Sequence, residues 1–440
     1  MKKSFFYITF IIFMSHAIVL GEEISKSFSG LDNNVIIDNE VFVDKIKAII
    51  LSQPEFSEAT AFKNQNNADR NYASRLRFPT LGLQVINDRT MSREIETNAL
   101  RKTRDDTFDG VISIDQTIYK GNEIRSKIKS ANLKIKNASI KLNQTASLLI
   151  ITATDIYVNA AITDLLASHS EGLVKDFEKY REIAKKRFNA GVVENTEMAI
   201  INIRLSEIET KNALLQARKI ESASVYEAFF NEKYNNNGLP EIELINFSPE
   251  SSINSNVNNY DERISKNEIE ITKANLEITK SQYRPQLGFS ARYTRYDIDA
   301  ENIDNDLRGG FYIKFPFFSF GRGSAEVASA RSKIDQARSQ LDKTRRDVKY
   351  TKASNYGSSL GSLQARNKLL ESFNNVKLQR ETFLYRMESS SFSISTVLEA
   401  AIRELAIYEQ LILNEKELLM SDLKTSHMNE RLLQRFFIVL

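Results

Sequence analysis

The stretch SANLKIKNASIKL, Ser130 to Leu142, returns 199 residues later as SARSKIDQARSQL, Ser329 to Leu341. Six of the thirteen positions are identical: Ser130, Ala131, Lys134, Ile135, Ala138 and Leu142. The same offset sets Arg187-Phe188-Asn189-Ala190-Gly191 against Arg386-Met387-Glu388-Ser389-Ser390, and Tyr119 against Phe318. Upstream the offset becomes 206, pairing Phe78-Pro79-Thr80-Leu81-Gly82 with Arg284-Pro285-Gln286-Leu287-Gly288 and Pro54-Glu55 with Tyr260-Asp261, so one loop differs by seven residues. A repeat of this length decides the fold, because each copy must carry the same supersecondary unit.

Working outward, each copy reads as helix, strand, loop, strand, very long helix, tight break and returning helix. The expected division is a signal peptide over 1–21, a first repeat over 22–234, a polar linker over 235–259 and a second repeat over 260–440. Ala131, Ile135, Ala138, Leu142, Leu149, Ile156 and Ala160, with Thr145 filling a gap, follow the alternating four-three spacing of coiled-coil packing, as do Leu398, Ile402, Leu405, Ile412 and Leu419. The alanines in these seams let helix axes approach closely. No proline interrupts the stretches from Asn122 to Lys186 or from Gly323 to Tyr385, so each predicts a helix of roughly 95 Å at about 1.5 Å rise per residue. The competing reading is an ordinary helical bundle with turns that leave no signal.

Composition supports helices and excludes several functions. Glycine is 15 and proline 6 of 440 residues, too few to turn a many-stranded soluble β fold. Sixty Lys plus Arg against 57 Asp plus Glu leave +3 spread over the chain, which gives no footprint for nucleic acid. Cysteine is absent and the three histidines are His16, His169 and His427, so thiol, zinc and histidine acid-base chemistry lack raw material. No enzyme and no cofactor are expected, and His169 and His427 read as solvated surface residues. Lys2 and Lys3 before the apolar run Phe5–Met14, with Ser15 and Ala17 or Val19 and Gly21 beyond it, read as a secretory signal rather than a buried helix. Beyond it no window approaches 18 consecutive apolar residues, so a membrane role needs strands.

Between the helices the period changes to two. Leu287, Phe289, Ala291 and Tyr293 alternate with Gly288, Ser290, Arg292 and Thr294, while Ile112, Ile114 and Ile118 alternate with Ser113, Asp115 and Thr117. Leu81, Leu83 and Val85 give a third apolar edge, and Phe311, Ile313, Phe315 and Phe317 a fourth. If these strands cross a bilayer, Ile112, Ile114, Leu287, Phe289, Phe311 and Ile313 face lipid, the other face lines a wet lumen, and Tyr119, Tyr293, Tyr296 and Tyr312 sit at the interface. Four strands cannot close a barrel, and open edges in lipid leave backbone groups unsatisfied, so other subunits must complete it. A small soluble sheet packed on the helices is the alternative.

Pro79-Thr80-Leu81-Gly82-Leu83, Pro285-Gln286-Leu287-Gly288-Phe289, Gln116-Thr117-Ile118-Tyr119-Lys120-Gly121, Pro316-Phe317-Phe318-Ser319-Phe320-Gly321-Arg322 and the break Arg187–Gly191 together resemble the TolC-like outer-membrane factor family over nearly the whole mature chain. The resemblance implies a mainly α chain with membrane β-strands. As a homotrimer it would form a twelve-stranded β-barrel in outer-membrane lipid, continued by a helical α-barrel through the periplasm. It implies a passive exit duct for exported protein or small toxic molecules. The partners would be a periplasmic adaptor (membrane fusion) protein and an inner-membrane ABC or proton-driven transporter. By position it places the tip and adaptor docking at Arg187, Gly191, Thr196, Glu197, Arg386, Ser390 and Phe392, and an entrance carboxylate ring at Glu399. Ser390 stands where the family usually has glycine, and Met387 and Phe392 stand where some members carry gate residues. The alternative function is a periplasmic coiled-coil adaptor or structural spacer.

No phosphate-binding Gly-x-x-x-x-Gly-Lys-Ser/Thr loop occurs, so transport energy would come from a partner. Glu22 to Asn39 reads as a loose leader, and the apolar run Phe436–Leu440 could dock on the helical wall.

Overall fold

The computed structural model describes residues 26–28, 36–89, 91, 106–235, 238–244, 259–296, 298, 304–388 and 393–440. In chain order the elements are β1 (Ile36–Ile37), α1 (Asn39–Ser52), α2 (Pro54–Arg75), β2 (Thr80–Arg89), β3 (Asp106–Lys120), α3 (Glu123–Asn189), α4 (Asn195–Phe230), β4 (Leu239–Pro240), α5 (Tyr260–Ser281), β5 (Gln286–Tyr296), β6 (Asp304–Lys314), α6 (Arg322–Glu388), α7 (Ile394–Met428) and α8 (Leu432–Arg435). The duplication is explicit: α2-β2-β3-α3-α4 is matched by α5-β5-β6-α6-α7. Both long helices contain 67 residues and run without a turn, which removes the bundle reading.

The entry to each long helix is a left-handed pair, Gly121 (φ +57°) with Asn122 (φ +74°) and Phe320 (φ +48°) with Gly321 (φ +82°). A Cβ on Gly121 would lie 2.7 Å from the Ser281 carbonyl oxygen, so that position has no room for a side chain. One 18-residue window of α3 is apolar enough by composition to cross a membrane, but 61% of it is buried within the protein.

Contacts divide the chain into two units, each drawing on both repeats. The first comprises Met1–Phe56, Gln144–Asn259 and Val348–Leu440; the second comprises Ser57–Asn143 and Tyr260–Asp347.

In the first unit the predicted seams are the core. Leu149, Ala160, Leu398, Leu405, Ile412 and Leu419 are buried, joined by an aromatic cluster the periodicity did not show. Phe42 meets Tyr157 edge-on at 5.0 Å between centroids and Phe436 at 6.4 Å, and Tyr226 stacks on Phe230 at 4.4 Å. Phe436 and Ile438 are therefore inside while Phe437 and Val439 are exposed, so the closing run docks by alternate residues.

The expected loose leader is instead a seated strap over its described residues. Ser27 exchanges hydrogen bonds with Ile242, β1 pairs in parallel with β4, and Phe28 is fully buried. The polar linker likewise is structured over Leu239–Leu244, with Leu239, Ile242 and Leu244 buried. Beneath the strap, Arg366 and Glu415 form an ion pair at 2.6 Å with side chains 6% and 3% exposed, and Glu415 also accepts the Phe28 N–H at 3.0 Å.

His169 and His427 are half-buried and packed rather than solvated on the surface. His427 Nδ1 and the Ser147 hydroxyl lie 2.7 Å apart. The His169 ring lies 5.2 Å from that of Tyr408, and its Nε2 is buried without a hydrogen-bond partner. Burial pushes the His169 imidazole below its ordinary value, with Glu404 opposing and Arg380 adding to the shift.

Candidate functional site: a two-faced sheet and the hairpin tips

In the second unit β2, β3, β5 and β6 form one antiparallel sheet in that order, with β2 and β6 at its edges. Register partners share a face, so the pairings Leu81↔Ile114, Leu83↔Ile112, Ile112↔Tyr293, Ile114↔Ala291, Phe289↔Phe311 and Leu287↔Ile313 assemble one apolar surface. All six residues expected to face lipid lie on it. Among the described residues no element packs over it: Leu83, Phe311 and Ile313 are each at least 75% exposed. A soluble sheet packed on helices does not leave such a surface bare.

The opposite face carries Gln84, Ser113, Asp115, Thr117, Ser290, Arg292, Thr294, Arg308, Tyr312 and Lys314. Two details depart from the sequence reading. A bulge between Thr117 and Tyr119 shifts the parity, so Tyr119 rather than Ile118 stands opposite Leu287. Tyr312 and Tyr296 belong to the polar face. Tyr312 lies over Gly288, where a Cβ would come within 2.3 Å of its ring, and its hydroxyl donates to Asp115 Oδ2 at 3.5 Å. Its packing partner, not its aromatic character, sets its side of the sheet.

The tip residues lie in the first unit. The α3–α4 break is a Schellman turn: Val192 N–H donates to the Arg187 carbonyl and Gly191 N–H to the Phe188 carbonyl, both at 2.9 Å, with Gly191 at φ +74°. Arg187 Nη2 also donates to the Met387 carbonyl at 3.2 Å, so the ends of α3 and α6 are joined. Glu197 accepts the Ser393 hydroxyl at 2.5 Å, joining the starts of α4 and α7. Thr196 Oγ1 donates to Glu194 at 3.4 Å, and exposed Arg386 lies in the last turn of α6. Ser390 and Phe392 fall outside the described residues. Glu399 does not stand alone: its carboxylate lies 3.2 Å from Arg403 and 3.8 Å from Arg204, which itself pairs with Glu207 at 2.9 Å. Two arginines facing two glutamates make that cluster balanced rather than negative. Among the described residues no group of three or more His, Cys, Asp or Glu could hold a metal ion.

No protein-family model matches the chain, and no curated protein matches it in sequence. Solved structures do. VceC, an outer membrane protein of Vibrio cholerae, aligns over 90% of this chain and 96% of its own with a TM-score of 0.69 at 14% identity. The Campylobacter jejuni CmeC outer membrane channel aligns over 88% and 86% with a TM-score of 0.74 at 13% identity. The open state of the Neisseria gonorrhoeae MtrE outer membrane channel aligns over 89% and 90% with a TM-score of 0.71 at 12% identity. The chain therefore has the fold of outer-membrane channel proteins. It is the fold that the resemblance to TolC-like outer-membrane factors implied.

Proposed function

We propose that three copies of this chain build an exit duct in the outer membrane. It passively conducts substrates, exported protein or small toxic molecules, delivered from an inner-membrane ABC or proton-driven transporter through a periplasmic adaptor. The observation that carries this reading is the bare apolar face of a sheet whose two edges, β2 and β6, each pair on one side only among the described residues. In lipid those edges must find partners, and the β6 edge of one copy on the β2 edge of the next satisfies both, giving twelve strands in three copies. The strands of 10, 15, 11 and 11 residues are long enough to cross the hydrocarbon when tilted.

The tip at Arg187–Thr196 and Arg386–Ser395 is the end at which an adaptor docks, and the contacts Arg187–Met387 and Glu197–Ser393 hold its two hairpins together. With Glu399 balanced by Arg204 and Arg403, three copies give an entrance with no net excess of carboxylate from this cluster. The deciding experiment is electron microscopy of the detergent-purified protein. End views with threefold symmetry and a membrane collar support the duct, whereas a particle without rotational symmetry moves the sheet out of the membrane and refutes it.

A further inference from the structure

Across the middle of the polar face runs one row of register partners: Gly82, Ser113, Arg292 and Arg308. Two arginines thus stand directly opposite each other on adjacent strands, an arrangement that is destabilising unless something anionic lies between or above them. Arg308 has a partner, since its Nε lies 2.5 Å from Asp306 Oδ2, yet its side chain remains 80% exposed. Arg292 is exposed and forms no ion pair among the described residues. Its direct neighbours Ser113, Ser290 and Thr294 are neutral, while Asp115 and Asp306 stand diagonal to it, opposite Ser290 and Thr294.

Among the described residues, Asp115 and Asp306 flank the row one step along the strands and the remaining charged groups of that face stand farther from it. Asp115 accepts the Tyr312 hydroxyl, Lys120 pairs with Glu123 at 3.3 Å, Lys314 stands in the row of Lys120 and Gln286, and Asp109 has its own interactions. Arg292 is the seventh of eleven residues in β5 and Arg308 the fifth of eleven in β6, so the row sits near mid-strand.

We infer that Arg292 and Arg308 form an anion-binding row in the lumen of the duct, which takes phosphate- or carboxylate-bearing substrates in passage. The inference rests on the duct reading, because the polar face is a lumen only in the closed barrel. In each copy the two guanidiniums stand side by side, and the nearest carboxylates of that face, Asp306 on β6 and Asp115 on β3, lie one step to either side of the row. Guanidinium forks match phosphate and carboxylate oxygens in pairs of parallel hydrogen bonds, and two forks on adjacent strands present two such pairs to one ligand. The site is solvated, which suits transient binding of a substrate that must also leave.

The test uses the full-length protein in planar bilayers, with inorganic tripolyphosphate as the probe added to each side in turn. Reversible block of the single-channel current is expected, about tenfold weaker in Arg292→Ser/Arg308→Ser and screened by salt. Asp306→Asn, which frees Arg308, should tighten the block. Shifts of opposite sign do not arise from loosened folding. Equal block in the parent and both variants overturns the anion row while the current itself upholds the duct. Absence of current from all three forms overturns the duct and this inference with it.

Discussion

Arg366→Leu tests a deeply buried ion pair in the first unit. The Arg366 and Glu415 side chains are 6% and 3% exposed, so solvent screening does not reduce the effect. Removing one partner of such a pair costs about 3 to 5 kcal/mol, chiefly because a desolvated charge is left behind. Here the carboxylate keeps one donor, the Phe28 N–H at 3.0 Å, which places the expected loss near the lower bound, about 3 kcal/mol. The loss falls on the strap: Phe28 is anchored to Glu415, and Lys26 offers its carbonyl to Arg366 Nη2 at 3.5 Å. A 3 kcal/mol decrease in opening free energy corresponds to roughly hundredfold faster amide exchange. The measurement is hydrogen exchange of the peptide carrying residues 26–28 in the detergent-solubilised protein. Arg366→Leu/Glu415→Gln, whose amide oxygen still accepts from Phe28, should restore at least half of the protection. Unchanged exchange in the single variant, or a double variant that exchanges as fast as the single, refutes the reasoning.

Four further outcomes are expected. Phe289→Arg on the apolar face should cost about 2 to 4 kcal/mol if it meets the bilayer midplane, read as loss of inserted, heat-resistant oligomer; unaltered insertion would place that face away from lipid. Deleting Arg187–Glu197 should leave assembly intact and abolish export, and normal export by a correctly inserted deletion would remove the tip assignment. Glu399→Gln leaves Arg204 and Arg403 against Glu207 alone, so reversal potentials in a salt gradient should move toward anions; movement toward neither ion would place Glu399 off the conduction path. The depressed His169 imidazole binds its proton less readily folded than unfolded, so stability is complete above the ordinary histidine value of 6.5 and falls as pH drops through it. His169→Phe should flatten that part of a thermal-melting profile against pH, and an unchanged slope would assign it to other groups.

The helices and the two faces of the sheet were legible because they are periodic. Leu83, Ile112 and Phe311 repeat every second residue, and Leu398, Leu405 and Ile412 follow the helical seam, so pattern alone assigns their sides. The strand bulge was not legible, since one extra residue at Ile118 leaves local composition unchanged while reversing the parity of Tyr119. Tyr312 was misplaced for a related reason: its seat over Gly288 depends on the register of two strands. The strap was invisible because its partners are remote, Ser27 bonding Pro240 and Phe28 bonding Glu415 across 213 and 387 positions. The charge balance at Glu399 was missed because Arg204 comes from the other repeat, although Arg403 one turn away was a readable signal.

The meeting of remote segments in the first unit has a bearing on biogenesis. Phe42 packs on Phe436 across 394 positions, and Arg435 reaches both Asp422 and the Glu243 carbonyl, so residues made early, midway and late share one core. A ribosome delivers them in sequence, and the early Phe42 lacks one of its ring partners until the late Phe436 arrives. Contacts of such separation form slowly and leave apolar surface open in the interim. A chain stalled before Phe436 therefore leaves part of this core open, a sticky, proteolysis-prone intermediate rather than a shortened but folded protein.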